Sequence, residues 1–211
     1  VIVTSRSLNK NFTNYKYLKI QNQIKFEKLN TNNKNQIKKI IKKCNPKKIF
    51  YFSGQSSLTR SIKNKKETLS SHYGGTKNFL DTIIEQKLDT KFFKANSGYI
   101  FSPKNGLIHL KCKFSSNDNP YIKSQQRVFN LIKKYRKFGL NLSNLVFMQI
   151  ESPLRKNDFF IKKVCLGAKN KKKIIVGNLN IYRDYSWITD IVKAITLTSN
   201  LKSKDYIISA G

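Results

Sequence analysis

The 211-residue sequence is short of acidic residues, thiols and long apolar runs. No apolar stretch approaches the ~20 residues that a bilayer-spanning helix needs, so no transmembrane helix is predicted. The opening VIVTSRSLNK lacks the basic-then-apolar order of a secretory signal. Cys44, Cys112 and Cys165 are odd in number and scattered, with no CxxC or CxxH metal spacing. They predict buried free thiols and a reducing, cytoplasmic location. No G-x-G-x-x-G or Walker motif occurs, and no zinc-finger, recognition-helix or RNA-binding signature. The first residue is not Met. The chain opens in an apolar run at Val1-Ile2-Val3 and closes near another at Tyr206-Ile207-Ile208, so both ends read as cut.

What is abundant is lysine. There are 42 basic against 11 acidic residues, a formal charge of +31. Taken alone, that charge suggests nucleic acid or another anionic surface. Lys and Asn are spread through almost every segment, however, which is the pattern of a solvated surface rather than a binding stripe. A basic surface also suits phosphate-bearing ligands. The apolar content of 39% over this length is enough for one sizeable core.

Strand and helix patterns alternate. Residues 1–4, 20–26, 48–52, 91–95, 142–150 and 174–176 read as strands. Residues 33–43, 68–88, 120–138, 158–169 and 187–198 read as helices. Ile37, Ile40 and Ile41 share one face of the first helix. Leu69, Tyr73, Phe79, Leu80, Ile83, Ile84 and Leu88 form a stripe on the second. Such alternation predicts an α/β fold, a doubly wound parallel sheet covered on both faces. Ligands then belong outside the carboxyl ends of the strands, after Phe52, Ala95 and Gln149.

Those places carry recognisable segments. Gly177-Asn178 is followed by Arg183-Asp184, Trp187 and Asp190. Ile150-Glu151-Ser152-Pro153-Leu154-Arg155-Lys156-Asn157-Asp158-Phe159 follows a strand. Ser53-Gly54-Gln55-Ser56 follows another, and Gly75-Thr76 stands in a helix. In this order they resemble the GN-x4-RDW, N-H-E-S-P-R-R-G-E-T-F, N-L-G-A-Q-S and GT-xx-LLEA segments of GDP-mannose 4,6-dehydratases, which are extended short-chain dehydrogenase/reductases. The resemblance runs over nearly the whole chain and implies a Rossmann-like fold lacking its first βα unit and its C-terminal end. It implies a partial NADP-binding domain over 1–147 and part of an interleaved substrate-binding region over 148–211. NADP would be the cofactor, and GDP-mannose or a related nucleotide sugar the partner. A homo-oligomer is compatible with it.

The resemblance also assigns roles. Ser97, in Asn96-Ser97-Gly98-Tyr99, would hydrogen-bond the sugar hydroxyl being oxidised. Tyr121, after Pro120, would be the acid/base of that oxidation. Arg6, Gly54, Gln55, Ser56, Tyr121, Gln125 and Arg155 would line the cofactor, with Arg6 favouring NADP. Gln149, Glu151, Lys163 and Arg183 would meet the substrate, Lys163 and Arg183 at its diphosphate. Two positions depart from the pattern. Tyr99 stands where the family has the Glu that removes water, and a phenol with a pKa near ~10 is a poor base at neutral pH. Gln125 stands where the family has the Lys whose charge lowers the tyrosine pKa. Lys123, two residues from Tyr121, would point to another face. The chain therefore reads first as a dehydratase of this kind. The alternatives are a degenerate nucleotide-sugar-binding relative without turnover and, ranked last, a basic nucleic-acid-binding protein.

Overall fold

The computed structural model describes residues 1–7 and 13–211. The elements in chain order are β1 (Ile2–Ser5), α1 (Thr13–Tyr17), β2 (Lys25–Lys28), α2 (Lys34–Cys44), β3 (Lys48–Tyr51), α3 (Leu58–Lys63), α4 (Lys65–Leu69) and α5 (Gly75–Glu85). There follow β4 (Lys91–Ser97), α6 (Pro120–Arg136), β5 (Leu142–Phe147), β6 (Gln149–Glu151), α7 (Phe160–Lys169), β7 (Tyr185–Trp187), α8 (Ile188–Thr198) and β8 (Tyr206–Ile208).

The central sheet is parallel throughout, in the order β3-β4-β5-β8. Parallel strands are buried on both faces, and the side chains of β4 show why. Phe92 joins Ile37, Leu80, Ile83, Val128 and Ile132 under α2, α5 and α6. Its neighbour Phe93 points the other way, into a cluster with Leu145, Phe147 and Ile191 under α8. This is the doubly wound parallel arrangement that the alternating pattern predicts. Two further parallel pairs, β1-β2 and β6-β7, stand apart from the central sheet. Buried polar groups also tie the sheet. The Asn96 amide donates to Asn144 Oδ1 (2.7 Å), and the Asn144 amide donates to Asp205 Oδ1 (2.8 Å).

One edge of the central sheet is less well covered. Phe50 of β3 stacks on Phe93 at 4.9 Å between centroids, and Phe52 lies near Phe50 and Phe147. Phe50 and Phe52 are nevertheless 39% and 55% exposed.

Several elements differ from the sequence expectation. Residues 21–23 form a 3-10 turn, and the strand predicted at 20–26 lies instead at Lys25–Lys28. The helix expected over 68–88 is not regular. It runs from α4 through a π turn at Ser70–Gly74 into α5, where Gly74 and Gly75 weaken the helical preference. The strand expected over 142–150 breaks at Met148, because β5 and β6 belong to different sheets. Residues 174–176 form no strand. The partner of β6 is β7, only three residues long, in a stretch read as leading into a helix. The thiols are not buried either: Cys165 is exposed, and Cys44 and Cys112 are partly so.

Gly75 is the tightest joint of this scaffold. A Cβ there would meet the Tyr51 hydroxyl at 2.1 Å and Thr31 Oγ1 at 2.8 Å. The Tyr51 hydroxyl is itself held, donating to the Ser71 carbonyl at 2.7 Å. Gly75→Ala should therefore destabilise the protein by about 1–3 kcal/mol despite alanine's better helix propensity. Urea unfolding measures this, and Tyr51→Phe in the same background should recover part of the loss. A neutral or stabilising Gly75→Ala would mean that α5 can move away from the sheet.

Candidate active site

The site grows from the carboxyl end of β4 and the amino end of α6. Ser97 closes β4 and accepts a hydrogen bond from the Tyr99 N–H at 3.3 Å. Asn119 caps α6, accepting from the Tyr121 N–H at 2.9 Å, with Pro120 as the first helical residue. The same cap is anchored sideways: Asn119 Oδ1 accepts from the Ser61 hydroxyl at 2.9 Å, and its amide donates to the Leu58 carbonyl. Tyr121 is thus delivered by a fixed helix start. Burial pushes the Tyr121 phenol up, while Ser97 and Gln125 beside it oppose the shift and the nearby Tyr99 adds to it. The helix spacing of four brings Gln125 under Tyr121 as expected. Lys123 is occupied elsewhere, 3.3 Å from Asp118.

Behind this pair lies a group that the sequence reading did not single out. His72, on the π turn, is 3% exposed, and its ring meets that of Tyr121 edge-on at 5.6 Å. His72 Nε2 lies 2.7 Å from the Gln55 carbonyl oxygen, which can only accept, so Nε2 carries the proton. Nδ1 then accepts from the Gln125 amide at 3.4 Å. Burial, with the charge of Lys94, lowers the His72 pKa to about 3. Lys94 is 1% exposed on the same sheet face as Phe92. Burial alone brings its pKa down to about 7. The signal for Lys94 was present in the sequence. Phe92, Lys94 and Asn96 alternate along one face of a strand, so a lysine in that series had to be interior.

Gly54 belongs to this group. Its φ is +136°, and a Cβ would meet the His72 ring at 2.2 Å. Within the protein, the contact that requires glycine here is with His72. Gln55 follows in the same turn. Its side chain closes a local loop, binding both the N–H and the carbonyl of Ser57, while Ser56 is exposed.

A second cluster faces the first across Tyr99. Gln149 donates to the Tyr99 hydroxyl at 2.8 Å, and the Arg183 guanidinium lies 5.2 Å from the centre of the Tyr99 ring. Glu151 stands two residues after Gln149, on the same face of β6, and is 8% exposed. Tyr185, paired with Gln149 across the two strands, is pushed up by burial first and then by Glu151. Arg155 stacks on Phe159 at 3.6 Å, and its Nε is buried without a partner among the described residues.

Two expected residues are placed apart from these clusters. Arg6 pairs with Glu67 at 3.0 Å on the surface. Lys163 donates to the Ile175 carbonyl, so its ammonium is already engaged. Among the described residues, no group of three or more His, Cys, Asp or Glu is placed to hold a metal ion.

A parallel sheet flanked by helices is a fold shared with solved nucleotide-sugar epimerases and dehydratases. UDP-glucose 4-epimerase of Thermus thermophilus, in complex with NAD, superposes with a TM-score of 0.84 at 16% identity over 100% of this chain and 70% of its own. UDP-glucuronic acid 4-epimerase of Bacillus cereus, with UDP-glucuronic acid and NAD, gives 0.86 at 15% identity over 100% and 69%. Within that class the family is specific: the GDP-mannose 4,6 dehydratase family profile matches residues 1–211, and the chain belongs to that family. A GDP-mannose 4,6-dehydratase of Sinorhizobium fredii (strain HH103) is 24% identical over 187 residues, covering 82% of this chain. The chain spans about half of that relative, 52% of its length.

Proposed function

We propose that this chain is part of a nucleotide-sugar dehydratase that takes GDP-mannose or a close relative as substrate and NADP as cofactor. The observation that supports it most is the convergence of Ser97, Tyr121 and Gln125 at the carboxyl edge of a sheet whose whole length matches the family. Residues 1–147 would form the cofactor side and residues 148–211 the substrate side.

The residues fit a dinucleotide. Gln125 Oε1 is buried with no partner among the described residues, as is Arg155 Nε, and an acceptor and a donor of this kind suit a ribose hydroxyl and a phosphate. The Arg6–Glu67 pair is exposed and so weak that a 2′-phosphate could displace the carboxylate. When bound, the nicotinamide supplies hydride exchange at the sugar. Ser97 would orient the sugar hydroxyl, and Tyr121 would take its proton. Arg183 and Lys163 would meet the diphosphate, Lys163 after leaving the Ile175 carbonyl. Gln149 would place Tyr99.

A second reading has its own support. The phenol of Tyr121 is raised by burial and has a neutral Gln125 where a cation would lower it. That favours binding with slow or absent oxidation. Calorimetry with GDP-mannose in the presence of NADP tests the binding shared by both readings. Arg183→Ala should weaken affinity by about tenfold or more, since a charge-assisted phosphate contact contributes roughly 1.5–3 kcal/mol. Unchanged affinity would remove Arg183 from the site, and no binding by the wild-type protein would remove the nucleotide-sugar reading.

A further inference from the structure

Position 99 has lost a carboxylate, yet the site still contains one. Glu151 ends β6 opposite Trp187 of β7. Its side chain shares a face with Gln149, whose amide reaches the Tyr99 hydroxyl, so this face looks toward the end of β4. Tyr185 links the groups: its phenol responds to Glu151, Arg183 and Tyr99, and Tyr99 in turn acts on Tyr121. The carboxylate therefore belongs to the same electrostatic neighbourhood as the serine–tyrosine pair.

Glu151 is 8% exposed, and its carboxylate makes no hydrogen bond or ion pair with any described residue. Asp184, whose backbone carbonyl accepts from the Gln149 N–H, has its own carboxylate engaged. Asp184 accepts from the Ala210 and Gly211 N–H groups and from the Ser186 hydroxyl.

We propose that Glu151 is the acid/base of the elimination step, in the place of the carboxylate missing at position 99. The inference rests on the nucleotide-sugar reading above. The Glu151 carboxylate takes the C5 proton of a 4-keto nucleotide sugar. The electron pair left by that proton forms the C5–C6 double bond as the C6–O bond breaks. The departing hydroxyl receives the proton from Glu151 and leaves as water, which returns the carboxylate. No electron leaves or enters the sugar.

Proton exchange at C5 isolates this step from hydride transfer. The protein is incubated in deuterium oxide with GDP-4-keto-6-deoxymannose, and loss of the C5 proton signal is followed by NMR, with binding measured in parallel by calorimetry. The wild type should exchange the proton well above the buffer rate. Glu151→Gln should lower the enzymatic rate by about a hundredfold or more while still binding, and Glu151→Asp should fall between them. Circular dichroism checks that each variant is folded. The assignment is overturned if Glu151→Gln exchanges as fast as wild type, or if the wild type binds without exchange above buffer. Failure of the wild type to bind at all is a distinct result that removes the nucleotide-sugar reading, and this inference with it.

Discussion

Lys94→Met should stabilise the protein at pH 7 by several kcal/mol, on the order of 3–5. The lysine is 1% exposed, its pKa is brought down to about 7 by burial, and its ammonium donates to the adjacent Ala95 carbonyl and lies over the Tyr51 ring, with no carboxylate partner among the described residues. Methionine keeps the length of the stem and removes the charge. The sign follows from proton counting. Between about pH 7 and the ordinary lysine value near ~10.4, the unfolded chain holds a proton at this position that the folded chain does not. Wild-type stability from this group therefore rises with pH through that window. The advantage of methionine should be complete below pH 7 and vanish above about pH 10.5. Urea unfolding at pH 6, 8 and 10 reads all three regimes. A destabilised Lys94→Met at pH 7 would mean that the ammonium is needed where it stands.

The second large effect concerns Tyr121. Gln125→Lys alone should destabilise the protein, because a second buried cation would enter a group that already contains His72 and Lys94. Combined with Lys94→Gln, the same change should be tolerated, since the cation has then only moved. The double variant should bring the Tyr121 pKa down, because a cation beside the phenol favours its ionised form. Carbon-13 labelling at the tyrosine ring carbon bearing oxygen, with Tyr121→Phe for assignment, measures this directly. Strong non-additivity in stability is expected, because both positions act on one histidine. A Tyr121 pKa that stays raised in the double variant would show that burial outweighs the cation.

Local signals carried a good part of the architecture. The strand ending at Tyr51 is an apolar run closed by Ser53-Gly54, and α6 announces itself through Asn119-Pro120. The pairing of Tyr121 with Gln125 follows from helical spacing. What could not be read depends on distant partners. Residues 142–150 look like one strand because nothing local marks Met148 as the point where the chain changes sheets. β7 is three residues long and exists only because β6 lies beside it. The contact between Gly54 and His72 was hidden for a similar reason, since the ring comes from the π turn 18 residues later in the chain. Arg6 and Lys163 have the right type and order, but the structure gives each a protein partner.

The half-open β3 edge bears on how the protein behaves in solution. Phe50 and Phe52 expose aromatic surface beside an edge of β3 that no other described strand pairs, and an edge left in that state is prone to edge-to-edge association between copies. The charge of +31 opposes such encounters at low ionic strength. Near 0.1 M salt the screening length falls to ~10 Å, about the spacing at which two such edges would begin to feel each other. Added salt thus removes the long-range barrier while leaving the aromatic attraction intact, which makes ionic strength the variable that governs how long the protein stays dispersed.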